Sequence, residues 1–244
     1  MNIFMLVYTN FFWQPLFNAL VFLYDVLPWH DLGLAIVVLT IIIRLLLAPL
    51  FWKAQQSQKS MAAMQPELKK VQTDLKHDRE AQGKAMVELY ARHNMSPLSP
   101  VSGCLVMLIQ LPILFALFGV FRAILDPAQM SYLYSFVAKP EVLSPISFGF
   151  LDLAHRSIFL GVLAAISQYF QIKMTMPPAP VGDEPEFARA MRTQAPFLFP
   201  VVIFIAALSS PAALGLYWTV LNVFGILQEL MVKKLWKQNA LLQK

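Results

Sequence analysis

The chain has 244 residues, of which 58% are apolar and only 14% charged, with a formal net charge of +5. Soluble domains run near one-quarter charged residues, and here the charges cluster between long apolar runs, which excludes an ordinary water-soluble domain. A single cysteine, Cys104, excludes an intramolecular disulfide, and four scattered histidines make a Cys/His metal site unexpected.

No Lys or Arg precedes Arg44, so residues 1–28 lack the basic start of a secretory signal. Residues 11–27 are apolar but broken by Gln14, Pro15, Asn18 and Asp25. Asn18 and Asp25 are seven apart, on one helical face, with Gln14 four before Asn18. The pattern predicts an amphipathic helix in the membrane interface over 11–28; a true span is the alternative.

Residues 32–52 are the first predicted span, with Pro49 near its end and one charge, Arg44, near its middle. A guanidinium at that depth costs at least ~2.5–3.5 kcal/mol on insertion scales, and it cannot shed its proton. The one Asp or Glu within a predicted span is Glu229, near the C-terminal end of residues 212–232, and it is the candidate counter-charge. Two readings follow for Arg44: a water-filled functional cavity, or a structural role by ion pairing or snorkelling.

Residues 53–100 form the one long polar segment, with eight Lys/Arg against five acids. Met61, Met64, Leu68, Val71 and Leu75 recur at heptad spacing. Pro66 either kinks this helix or starts it. After a polar break at 76–80, Ala85, Met86, Leu89 and Tyr90 share one side of a second helix. The segment predicts an antiparallel helical hairpin outside the membrane. Its Met61, Met64, Leu68, Val71 and Met86 form either a self-packed seam or an adaptable contact surface for partner chains.

Further spans are predicted at 101–125, 158–174, 196–208 and 212–232, the last two joined by Ser209-Ser210-Pro211, with a basic tail at 233–244. Cys104 opens the second of the five and reads as a small packing residue. Fifteen of the nineteen Lys/Arg fall on the side of the hairpin and tail and three on the other. The positive-inside rule then places the hairpin and C-terminus in the cytoplasm and the N-terminus outside. The fold class expected is an all-α membrane protein: five transmembrane helices, a cytoplasmic hairpin and an N-terminal interfacial helix, in one domain over 1–244.

Uncharged polar residues also fall within the spans: Thr40, Gln110, Ser167, Gln168, Gln171, Thr219 and Asn222. Singly each reads as interhelical hydrogen-bonding glue. Together they would line a polar pocket around Arg44, neutral and positive, suited to receiving negative charge. Proton and cation carriers usually show intramembrane carboxylates. No nucleophile–base pair, metal cluster or phosphate-binding glycine loop is present, so no enzyme activity and no cofactor are expected. The rival to a protein-handling role is a small-anion transporter or channel using Arg44, although the internal repeats common in transporters are missing.

These residues resemble the YidC family of membrane protein insertases over about 12–237. The marks are LGLAIVVLTIIIRLLLAPL, MAAMQPELKKVQ, LYARHNMSPL, GCLVMLIQLPILFALF, FGFLDLA and SPAALGLYWTVLNVF, in that order. Departures fall at Ser96-Pro97, where Asn-Pro is usual, at Val106, where proline is common, and at Gln171, one residue further from the basic position. The resemblance implies a hydrophilic groove carrying Arg44, closed on the outer side, with Gln110 and Trp218 near or in it. It implies a plasma-membrane insertase or chaperone for nascent membrane proteins, in a short form without a large outer domain. Membrane lipids, the ribosome and the Sec translocon are candidate partners; specific DNA binding is not expected. The lysine-rich tail would touch ribosomal RNA or only fix topology.

Overall fold

The computed structural model describes residues 3–93, 95–96, 102–141, 143–176 and 186–242. The junction at 97–101, the proline-rich stretch 177–185, residues 243–244 and the side chains of Cys104 and Val106 lie outside the described residues. The order is α1 (Ile3–Tyr8), a π turn (Thr9–Trp13), α2 (Gln14–Val26), α3 (Leu32–Asp74), α4 (Arg79–Arg92), α5 (Ser102–Ala123), a loop with β1 (Ile146–Ser147) and β2 (Leu151–Asp152), α6 (Ile158–Thr175), α7 (Glu186–Leu208) and α8 (Ala212–Leu242).

Five stretches among the described residues are long and apolar enough to cross a membrane: Met5–Val26, Leu32–Asp74, Ile158–Thr175, Arg189–Leu208 and Ala212–Leu235. Helix α5 adds a sixth apolar helix of 22 residues. Large apolar side chains point outward along them, among them Phe159, Val162, Ile166 and Phe170 on α6 and Phe197, Val201 and Ile205 on α7. In water such faces would not persist. The chain is an all-α integral membrane protein.

Several helices run beyond the spans expected within them. Helix α3 runs unbroken for 43 residues through Pro49 and Pro66, so the first span and the first arm of the hairpin are one rod. Helix α7 begins at Glu186, ten residues before the expected span, and α8 continues to Leu242, so the basic tail is helical through that residue. The N-terminal helix begins at Ile3 rather than residue 11. Two of its polar residues, Gln14 and Asn18, turn toward the loop. Asn18 is 2% exposed; its Nδ2 donates to the carbonyls of Gln14 (2.8 Å) and Tyr132 (3.0 Å), and its Oδ1 accepts from Tyr134 N (2.6 Å). Gln14 Nε2 also donates to Tyr132 O. Two of the four residues that interrupt the apolar pattern, Gln14 and Asn18, therefore pin the α5–β1 loop to α2.

At this loop end the bundle is clamped. The Asp31 carboxylate caps α3 by accepting from Leu34 N (2.9 Å) and also accepts from Phe148 N. Gly33 N donates to Ser147 Oγ at 2.8 Å. A Cβ on Gly33 would lie 2.6 Å from the Phe148 ring, so only glycine lets the β-turn seat on the helix. Ala212 N and Ala213 N at the start of α8 donate to the carbonyls of His155 (2.9 Å) and Leu153 (3.2 Å). The core below holds Phe17, Leu20, Ile36, Leu117, Leu214 and Tyr217, all fully or almost fully buried.

At the opposite end the hairpin has its own small core of Met64, Leu89 and Tyr90, with Met61, Leu68, Val71, Met86 and Met95 packed against it. The heptad seam is thus spent within the hairpin. Met64 is 0% exposed and offers no surface to a partner in this conformation. Asp78 caps α4 by accepting from Glu80 N and Ala81 N.

Candidate functional site

Arg44 is 7% exposed. Its Nη2 donates to Leu221 O on α8 at 3.2 Å, its Cζ sits 4.7 Å above the Phe51 ring, and its Nε is buried without a hydrogen-bond partner. Among the described residues no carboxylate pairs with it. Glu229, the candidate counter-charge, is 3.1 Å from Lys59 Nζ and 3.6 Å from Lys233 Nζ. Lys233 also donates to Met174 O at 2.6 Å. The ion-pair reading of Arg44 fails because its nearest acid is already held by two lysines.

Arg44 instead lies on a cavity of about 210 Å³ between α3, α6 and α8, with Gln55, Gln58, Gln171, Thr175, Gly225 and Gln228 among its lining residues. Gln55 Oε1 and both amide atoms of Gln228 are buried and have no protein partner. Buried polar atoms left bare cost about 1–3 kcal/mol each, so the cavity demands water or a polar ligand; its size and several convergent polar groups meet the requirement for ordered water. A second recess of about 110 Å³ adjoins it, sharing Gln55, Gln58 and Thr175 and adding Lys59, Glu229 and Lys233. Gln58 is exposed, so this polar track leads from Arg44 to solvent at the hairpin end. At the loop end, the clamp and the buried core stand between Arg44 and solvent.

The helical period explains the track. On α3, Arg44, Phe51, Gln55 and Gln58 are spaced seven, four and three apart, one continuous face. On α8, Leu221, Gly225 and Gln228 repeat the spacing at four and three. Gly225 faces the cavity: a Cβ there would lie in ordinary contact, 3.4 Å from Gln171 Nε2 and 3.7 Å from Arg44 Nη2, and a larger side chain would enter the space between them.

Of the polar residues expected around Arg44, the structure brings only Gln171 into its cavity lining. Gln168 Nε2 faces Gln171 Oε1 at 3.4 Å, one step behind. Thr40 Oγ1 is spent on Ile36 O (2.7 Å) within its own helix. Asn222 Nδ2 donates to Ser167 Oγ (3.1 Å) and sits near Ala164 O (3.4 Å), tying α8 to α6. Gln110 Nε2 donates to Tyr217 Oη at 2.9 Å, tying α5 to α8. Trp218 lines a separate apolar cleft with Leu114, Phe118 and Leu214. Asn222 and Gln110 thus bond between helices, as each residue alone suggested, whereas Thr40 bonds within its own helix. Gln55, Gln58, Thr175 and Gln228 were not foreseen, although seven-residue steps from Arg44 reach Gln58 and the same helical face carries Gln55.

In the loop, His155 Nδ1 donates to Asp152 Oδ2 at 2.8 Å. This bond, aided by the N–H groups of Ala154 and His155 against a smaller push from burial, holds the Asp152 carboxyl below its usual range. Among the described residues no three His, Cys, Asp or Glu side chains are grouped to hold a metal ion.

An apolar helical bundle with one buried arginine on a polar cavity, clamped at the end away from its hairpin, defines a class of integral membrane protein rather than a soluble receptor. Sequence comparison refines this. Residues 22–239 match the model of the 60Kd inner membrane protein family, and the chain belongs to that family. It is 33% identical to the membrane protein insertase YidC 2 of Bacillus anthracis over 93% of this chain and 81% of that protein. It is 30% identical to the membrane protein insertase YidC of Fusobacterium nucleatum subsp. nucleatum, over 84% of this chain and 87% of that one. The YidC of Geobacter metallireducens is longer: at 30% identity, 91% of this chain matches only 36% of it.

Proposed function

We propose that this protein is a membrane protein insertase that passes newly made membrane proteins from the cytoplasm into the bilayer, with the Arg44 cavity as the receiving groove. The observation that carries the reading is the unsatisfied polar set at Arg44, Gln55 and Gln228, buried among apolar helices and facing a track to solvent. The membrane protein insertases that the chain resembles support the insertase class.

The orientation proposed follows the Lys/Arg bias, with the α3–α4 hairpin and the end of α8 in the cytoplasm. A substrate's short polar tail enters from the hairpin side, past Gln58. Water in the cavity keeps the tail hydrated, and Arg44 offsets part of the ~2.5–3.5 kcal/mol that an Asp costs at mid-bilayer. The clamp at the loop end blocks a continuous water path. Transfer of the substrate's apolar segment into lipid then supplies the driving force. No covalent step is needed, so the role of each side chain is electrostatic or hydrating. Nascent membrane proteins are the proposed partners.

The test is reconstitution. Purified protein in liposomes should raise the protease-protected fraction of a short single-span substrate above that of empty liposomes, without raising chloride flux. Flux without insertion would instead support an anion pathway through Arg44 and overturn the reading.

A further inference from the structure

A second cavity, of about 340 Å³, opens between α5, α7 and α8 at the loop end, away from Arg44. Its walls are single helical faces: Leu114, Phe118 and Arg122 at spacings of four on α5, Leu214 and Trp218 at four on α8, and Ala206 on α7. The cavity is apolar except at its rim, where Arg122 lies beside the Ser209-Ser210 turn.

Arg122 is exposed, and its guanidinium carbon sits 4.0 Å over the Phe118 ring. That stacking holds the cation over the cleft. Among the described residues no carboxylate pairs with it. The acid one turn on, Asp126, is used by Ala128 N (3.0 Å) and Gln129 Nε2 (3.3 Å). Around the cleft, Phe115, Val202 and Ile205 are exposed apolar side chains of the lipid-facing surface. An apolar slot in such a surface, capped by one unpaired cation where the helices end, is complementary to an amphiphile with an acyl chain and an anionic head.

We propose that the α5–α7–α8 cleft is a binding site for an anionic phospholipid, with one acyl chain against Phe118, Leu214 and Trp218 and the phosphate on Arg122. Basic residues beside pockets between membrane helices select anionic heads in this way. The site is separate from the Arg44 cavity and stands whether or not the protein inserts substrates.

The test uses purified full-length protein carrying Phe115→p-benzoylphenylalanine in liposomes of phosphatidylcholine mixed with phosphatidylglycerol. After irradiation, adduct masses identify what occupies the cleft. Phosphatidylglycerol adducts should exceed its mole fraction by about fivefold, the weight of one cationic contact at a membrane surface. Arg122→Ala should bring adducts down to the bilayer composition, Arg122→Lys should keep most of the enrichment, and Ala206→Phe should reduce adducts of both lipids by filling the slot. Unchanged thermal unfolding checks the fold of each variant, and Arg122→Lys keeps the test decisive should the alanine variant misfold. Adducts that match the bilayer composition in the wild type, or enrichment that survives Arg122→Ala, would overturn the site. So would crosslinks chiefly to a second copy of the chain.

Discussion

Replacing Arg44 by Ala removes the Leu221 carbonyl contact, the Phe51 stacking and the one positive charge of the cavity. For a substrate carboxylate 4 Å from the guanidinium, Coulomb's law gives ~4 kcal/mol at an effective dielectric constant of 20 and ~1 kcal/mol in bulk water. The cavity is polar and leads to solvent, so the benefit falls toward the lower end, ~1–2 kcal/mol, or about 5–30-fold in the equilibrium. Arg44→Ala should therefore lower insertion of a substrate with one Asp in its translocated tail by about that factor. Arg44→Lys, which keeps the charge but not the planar contact to Phe51, should lose less. The assay is protease protection in proteoliposomes with paired tails, Asp against Asn. The loss should be confined to the Asp tail. Stability should change little, because removing an unpaired buried cation also removes its desolvation cost. An equal loss with both tails, or none with either, would refute the electrostatic role.

Gly225→Leu should fill the space between Gln171 and Arg44 and lower insertion of both acidic and neutral tails, measured in the same protection assay, while Arg44 keeps its charge. Glu229→Gln strips the shared partner from Lys59 and Lys233; Glu229 and the Lys59 Nζ are almost wholly buried, but the Lys233 side chain is 49% exposed. The expected loss is ~2–3 kcal/mol, below the full cost of breaking a buried pair, and a lowered thermal midpoint in detergent checks it. Asp152, whose carboxyl is held down mainly by His155, contributes stability that is present above the ordinary value of 3.8 and lost as pH falls through the lower folded value. Asp152→Asn should abolish that acid-side loss in thermal unfolding measured from pH 6 downward, and an unchanged acid limb would refute it.

Much of the architecture is legible from apolar run lengths, because a bilayer demands them. The hairpin seam at Met61, Met64, Leu68 and Val71 is legible for a similar reason, since a heptad has to find a partner. Arg44 stands out because a lone charge in an apolar run is costly. Its neighbours are harder to read. A polar residue in a span looks the same in one dimension whether it bonds its own helix, as Thr40 does, bridges two helices, as Asn222 does, or lines a cavity, as Gln171 does. Ending the first span at residue 52 also cut the face of Arg44 away from Gln55 and Gln58, although α3 carries them as one rod. Asn18 shows the same limit: its polarity marked one face of a helix, and nothing in one dimension shows that two of its three partners are loop backbone groups more than 110 positions further along the chain.

The central claim is that a substrate's polar tail occupies the Arg44 cavity during insertion. A photo-crosslinker placed at Gln58, Gln171 or Gln228, with the outward-facing Phe197 on α7 as control, tests it against a ribosome-bound nascent membrane protein. The account predicts adducts to the nascent tail from the three cavity positions that vanish on its release, and lipid adducts at Phe197. Lipid adducts alone from the cavity positions, with the nascent chain captured elsewhere, would contradict it.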